Sequence, residues 1–205
     1  PRGTGESAQT KTTFSGNGGP NIGNPFNRLI YSLKFQSTDI LLSDAINADS
    51  QILYDREPIE RAQKVAPWLT FDSDALPSVV NGRIVWILDG YTTSDRYPLA
   101  EERSLTEMTT DALNPRQTYA TLPTDHINYI RNAVKVTVDA YTGKVTLYQW
   151  DTKDPLLKAW TRAFPGTVKP LSAISGDLMA HLRYPEDLFK VQRNMLAKYH
   201  VTDPA

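Results

Sequence analysis

Cysteine is absent from the 205 residues, which excludes disulfides, thiolate metal sites and a cysteine nucleophile together. An excess of either charge is missing too. The 22 basic side chains stand against 23 acidic ones, so composition gives no support to a polyanion-binding role, and nucleic acid is not an expected partner. No apolar run approaches the ~18 residues of a membrane-crossing helix; the longest, Ile84 to Leu88, has the length of a strand. Histidine is scarce. His126, His181 and His200 fall in separate segments without an HExxH or His-x-His spacing, so neither a metal nor a cofactor is expected. The serines include no G-x-S-x-G elbow. The sequence begins at Pro1 with no charged-then-apolar leader, and reads as a fragment whose targeting information lies elsewhere.

What is present divides into an arm and a body. Six of the eleven glycines precede Asn24, among Ser, Thr and Asn, a composition that cannot offset the entropy of ordering; residues 1–24 are read as a flexible arm. Its "GNGGPNIGN" stretch lacks the Gly-Lys-Ser/Thr ending of a phosphate loop. Residues 25–205 are read as a single domain. Phe26, Leu29, Ile30, Leu33 and Phe35 share the apolar face of a helix opened by Asn24 and Pro25, and a short helix capped near Ser37 or Thr38 follows, with Ile40 to Ile46 supplying its buried side. A third helix begins near Pro58 and ends before Pro67, with Glu57 and Arg61 spaced as an ion pair on a solvated face.

The β signal is clearest at "SVVNGRIVWILDGYTT", where Asn81-Gly82 accepts the positive φ angles of a type I′ hairpin. The strand from Arg83 to Thr92 is apolar on both faces, which predicts a central place in a sheet. Residues 93–125 have little periodicity and read as a loop-rich insertion. A second hairpin follows. Val134, Val136 and Val138 alternate with Lys135, Thr137 and Asp139, the period of a strand with one wet face, and Thr142-Gly143 turns the chain into Val145 to Trp150. Helices from Asp154 or Pro155, from about Ser175 and after Pro185 complete the chain. The fold class is α+β: an antiparallel sheet built from two β-hairpins, packed with flanking helices.

The strings "NRLIYSLKF", "DREPIERAQKVAPWLTFD", "VNGRIVWILDGYTTSDRYP", "INYIRNAVKVTVDAYTGKVTLYQWD" and "HLRYPEDLFKVQRNMLAKYHVTDP" resemble a family of uncharacterised multi-pass membrane proteins found mainly in actinobacteria and cyanobacteria. The resemblance covers nearly the whole chain and carries no catalytic residue over. It implies a soluble module tethered to a membrane and facing outward, and a partner in the remainder of its own membrane-spanning chain or in another envelope protein.

Two repeats, "ILDGYTTS" and "TVDAYTGK", put an Asp, a small residue, a Tyr and a Thr after a strand pattern. Asp89, Asp95 and Asp139 are the carboxylates open to acid-base chemistry, but an Asp at a strand end ordinarily accepts hydrogen bonds from the following turn. Asp89 and Asp139 are read as such turn fasteners, with Tyr141 packing over the sheet. After the first repeat no return strand follows, and the chain runs into a loop with Asp95, Arg96 and Tyr97. With Tyr91, these residues form the expected binding surface, presented from a rigidly buried strand. The competing reading pairs Arg96 with Asp95. The expected function is a non-catalytic binding or assembly module; the alternative is a carboxylate-based hydrolase acting on envelope glycan or lipid.

Overall fold

A computed structural model describes residue 16 and residues 18–110 and 125–200. The chain divides into two compact units, Pro1–Tyr54 and Asp55–Ala205. In the first, α1 (Pro25–Phe35) begins where the Asn24 side chain accepts the Phe26 N–H at 2.9 Å, and ends at Gln36 in the left-handed region. A short α2 (Thr38–Leu42) follows, stopping before the Ala45 and Ile46 assigned to it from spacing. Neither helix has a buried residue. The apolar face predicted to be covered is open, with Phe26 66%, Leu33 70% and Leu42 76% exposed. The described residues at the end of the expected arm are paired: Asn21 bridges Gln51, and Ile22 donates to Ser50 at 2.8 Å and is buried. Residues 1–15 and 17 lie outside the described residues.

The second unit holds the sheet. In order come α3 (Pro58–Val65), β1 (Thr70–Phe71), β2 (Leu76–Val80), β3 (Arg83–Ser94), β4 (Arg103–Ser104), α4 (Leu105–Thr109), β5 (His126–Ile127), β6 (Tyr129–Asp139), β7 (Val145–Gln149), α5 (Pro155–Ala163), β8 (Val168–Lys169), α6 (Gly176–His181) and α7 (Glu186–His200). The two predicted hairpins, β2–β3 and β6–β7, join through an antiparallel β3–β6 ladder into one six-stranded sheet, with β1 beside the far end of β3 and β8 parallel to β7. At the first hairpin Asn81 and Gly82 have φ 49° and 73°, the signs that a type I′ turn needs. Within the expected insertion β4 and α4 are formed, and β4 pairs with β5 just past its end in a separate two-stranded ribbon; residues 111–124 of that segment lie outside the described residues.

Both faces of the sheet are covered. Leu88, Val134, Val136 and Val138 pack with Ile59 and Leu157, and Trp86 is half-buried against the same core, as one sheet built from both hairpins requires. On the opposite face Ile87 and Val80 meet Ile174 and Leu178, with Tyr148 and Trp150 alongside. That covering corrects the expected wet face of β6. Lys135 is 2% exposed. The alternation of period two is real, but the chain around residues 174–184 returns over the side that alternation marks as polar.

Asp139 holds the second hairpin as expected. Its Oδ1 accepts the Tyr141 and Thr142 N–H groups at 3.0 and 2.7 Å and the Thr142 hydroxyl at 2.9 Å, while Oδ2 takes Arg83 Nε at 2.7 Å. The Arg83 guanidinium, with the Thr142 donors, holds this carboxyl well below the usual carboxylate range against the opposing effect of burial. Tyr141, expected to pack over the sheet, is 46% exposed. Arg61 corrects another expectation: it donates to the carbonyl oxygens of Gly143 and Asp55, while the Glu57 side chain caps α3 by accepting the Glu60 N–H.

Asp139→Asn is expected to lower stability by about 1–2 kcal/mol near neutral pH, as one charged acceptor loses its strength in a local network. Because the folded pKa is depressed, the carboxylate's contribution is complete above the unfolded value of about 3.9 and is lost as pH falls through the folded value. The gap between wild type and variant in urea denaturation should therefore be constant above about pH 5 and narrow on acidification. A gap independent of pH would refute this account.

Candidate functional site

β3 anchors the candidate site. Its last turns are deeply held: Tyr91 and Thr92 are each 1% exposed, and the Thr92 hydroxyl donates to the buried Asp154 at 2.8 Å. Beyond Ser94 the chain bends outward, with the Arg96 N–H donating to Ser94 Oγ at 3.0 Å. Asn128 then clasps the loop. Its Oδ1 accepts the Tyr97 N–H at 2.9 Å, its Nδ2 donates to the Tyr97 carbonyl at 3.0 Å, and its own N–H donates to Ser94 at 2.9 Å. The Tyr97 ring stacks on Tyr129 with centroids 5.7 Å apart. Tyr129 is fixed in turn through its hydroxyl, which donates to Asp154 at 2.5 Å; burial and this hydrogen bond push its pKa up to about 12.

Beside Tyr97 opens a cleft of about 410 Å³. Met108, Ile127, Ile130, Val191 and Met195 make its apolar wall, contributed by α4, β5, β6 and α7. The wall is positioned by one carboxylate. Asp125 accepts the Ser104 hydroxyl, the Thr106 N–H at 3.0 Å and the Thr106 hydroxyl at 2.6 Å, which ties the start of α4 to the start of β5. Burial pushes the Asp125 carboxyl up, but these hydrogen bonds prevail and hold it below its ordinary value. At the rim stands Arg103. Its Nη1 donates to Asn194 at 2.8 Å, and its Nη2 lies 3.4 Å from Glu101. Nε is also 3.4 Å from Glu101, yet it is buried and lacks a hydrogen-bond partner. The other oxygen of Glu101 takes Lys198 at 2.6 Å.

A second, smaller cleft of about 120 Å³ is acidic, with Asp72, Asp74, Asp89 and Glu186 in its lining. Its carboxylates are committed to the fold. Asp72 accepts the Tyr91 hydroxyl, the Asp187 N–H at 3.0 Å and the Asp74 N–H at 3.0 Å. Asp89 pairs with Lys135, which also donates to the Arg183 carbonyl at 3.1 Å, and Glu186 meets Lys190 at 2.8 Å. Burial pushes the Asp89 carboxyl up although Lys135 opposes it. Asp187, which accepts the Ser73 N–H and hydroxyl, is pushed up by burial and by its neighbour Asp72. Among the described residues no three His, Cys, Asp or Glu side chains are placed to hold a metal ion.

The residues expected to form a binding surface are therefore split. Tyr91 faces the interior, its hydroxyl shared between Asp72 and the Leu188 N–H, and burial followed by the Asp72 charge raises its pKa far out of range. Asp95, Arg96 and Tyr97 lie outside. The Arg96 side chain is 90% exposed and only 3.8 Å from Asp95, a loose pair of small energetic weight. Asp89 is not at a strand end but in the middle of β3, opposite Lys135 in the ladder. Asp139 is opposite Val85, so Asp89 and Asp139 stand about 13 Å apart along the strand, and Asp95 is about 20 Å beyond Asp89. Paired glycosidase carboxylates need separations of about 5–9.5 Å, and this trio is not brought together as such a pair. Arg103 and the cleft wall gave no signal of their own in the sequence, because Arg103 and Met108 lie in the aperiodic stretch, Ile127 and Ile130 at the entry to the second hairpin, and Val191 and Met195 in the last helix.

Over residues 2–205 the chain matches a family described as "Uncharacterised protein family (UPF0182)". A UPF0182 protein of Clavibacter michiganensis subsp. michiganensis is 60% identical over 204 residues, 100% of this chain and 20% of that relative. One from Paenarthrobacter aurescens is 57% identical over 204 residues with the same coverage, and one from Leifsonia xyli subsp. xyli is 58% identical over 203 residues, 99% of this chain and 20% of its own length. The chain thus spans about a fifth of the length of these curated relatives. No solved structure matches it.

Proposed function

The chain belongs to the uncharacterised family UPF0182, and from that premise we propose that it is a non-catalytic binding or assembly module on the extracytoplasmic side of a membrane protein. Its partner on this reading is the remainder of its own chain or another envelope protein. The observation that carries the proposal is the loop of Asp95, Arg96 and Tyr97, held by Asn128 on the buried end of β3 and bordering the apolar cleft. A loop so anchored loses little entropy on binding, and Arg and Tyr are residue types that dominate binding energies. The acidic cleft favours the same reading over hydrolysis, since Asp72 and Asp89 are engaged by structural donors. No helix among the described residues is long and apolar enough to cross a membrane.

The test is Arg96→Ala with Tyr97→Ala in the full-length protein. Loss of the Tyr97–Tyr129 stack should cost only about 1 kcal/mol of stability. Assembly, read by size-exclusion chromatography of the purified complex, should weaken by about tenfold or more. Unchanged assembly would reject the surface. A reporter fused after residue 205 should read out on the extracytoplasmic side, and a cytoplasmic signal would reject the location.

A further inference from the structure

The cleft beside Tyr97 is apolar along its wall and carries one cation at its rim. We propose that it takes the carboxylate end of a single-chain alkyl amphiphile, a fatty-acid-like ligand, with Arg103 holding the carboxylate and the methionine-lined wall holding the chain. The inference deepens the binding reading above and rests on it.

Three features point this way. The volume of about 410 Å³ falls within the roughly 300–1,000 Å³ of small-molecule sites. Met108 and Met195, facing into the cleft with Ile127, Ile130 and Val191, are unbranched and polarisable, and suit a flexible chain better than a rigid ring. The third feature is the state of Arg103. Its Nη1 is fixed by Asn194, which sets the plane of the guanidinium, whereas the Nε–Nη2 edge meets Glu101 only at 3.4 Å and Nε makes no hydrogen bond. A guanidinium edge is built for two parallel bonds to a carboxylate at about 2.7–2.9 Å. Glu101 fills this edge poorly because its other oxygen is drawn to Lys198. Arg103 and Lys198 thus both draw on the same half-exposed carboxylate.

An incoming carboxylate can therefore take the Nε–Nη2 edge while Glu101 remains with Lys198. Glu101 and Arg103 could instead simply close a surface ion pair. Against it stands the buried, unbonded Nε, which a structural pair would satisfy by rotating Glu101 a few tenths of an ångström closer. The wall also discriminates against a peptide. Peptide N–H and C=O groups must find partners when buried, whereas the polar side chains nearest the cleft are committed: Asn128 to the Tyr97 and Ala100 backbone, and Tyr129 to Asp154.

The experiment titrates the full-length protein with dodecanoate, with dodecanol and with the peptide trileucine by calorimetry. Dodecanoate should bind saturably and about tenfold or more tightly than dodecanol, the margin expected from a charge-assisted hydrogen-bonded pair. Glu101→Gln should tighten dodecanoate binding by removing the competing carboxylate. Arg103→Gln should reduce it to the level of dodecanol, and Arg103→Lys should give an intermediate value. Should Arg103→Gln fail to fold, the acid-against-alcohol comparison and Glu101→Gln decide alone. Equal affinity for acid and alcohol, no dodecanoate binding, weaker binding in Glu101→Gln, or tighter binding of trileucine would each overturn the proposal. Failure here together with lost assembly in the Arg96/Tyr97 double variant would reject the ligand class and keep the module; retained assembly would reject the module itself.

Discussion

Lys135→Met is expected to destabilise the protein by about 3–5 kcal/mol, because it leaves the Asp89 carboxylate in the interior without its counterion. The side chains of Lys135 and Asp89 are 3% and 14% exposed, so water replaces little of what is lost. Much of the cost is the stranded charge rather than the pair itself, and the double variant Lys135→Met with Asp89→Leu should recover most of it. pH gives a second handle. Burial already raises the Asp89 carboxyl and Lys135 is what opposes the rise, so the variant should raise it further. With a folded pKa above the unfolded value of about 3.9, stability falls as pH rises through the window between them. The penalty of Lys135→Met should therefore shrink as the solution is acidified towards that unfolded value. Urea denaturation across pH reads both effects, and a penalty below about 1 kcal/mol at neutral pH would show that Asp89 does not depend on its partner.

The second large effect is expected at Asp72. This buried side chain joins the β1–β2 connection, the Tyr91 hydroxyl of β3 and the first turn of α7. Asp72→Ala strands three donors at once, for an expected loss of about 3 kcal/mol or more. α7 is tied to the sheet partly through these bonds, so hydrogen exchange should accelerate most at the Asp187 and Leu188 amides. Uniform acceleration over the whole second unit would point instead to a global loss with no special role for α7 docking. Tyr91→Phe removes one donor and keeps the ring, and should cost less than half as much.

The sequence made the turns and the hairpins legible because their signals are local. Asn81-Gly82 and Asp139 with Gly143 act within a few residues, and the structure bears out both turns. The strand apolar on both faces was rightly placed inside the sheet, flanked by β1 and β2 on one side and β6 on the other, since period and composition report burial directly. Lys135 and Asp89 were misread for a common reason: each reads as polar and hence as wet or turn-forming, while the partner that makes burial tolerable lies 46 residues away in the chain. Tyr91 was placed on the outside although its hydroxyl partner, Asp72, is on a strand connection that no pattern links to it. The exposed face of α1 has a related cause, for spacing identifies an amphipathic helix but not what covers it. Of the candidate site, the loop at Asp95 to Tyr97 was visible as the exit of a rigid strand. The cleft was not, because its wall exists only once three separate segments meet: α4, the β5–β6 stretch and α7.

The outer strands of the sheet bear on how molecules of this kind stay apart. β2, paired only with β3 among the described residues, carries Pro77 in its five residues, and β8 beyond β7 is two residues long. A proline offers no N–H to a newcomer, and a two-residue margin offers too short a template for strand addition. Intermolecular sheet growth, the common route to fibrils and swapped dimers, is thereby starved of backbone. At these two margins, strand addition between copies of this unit is disfavoured.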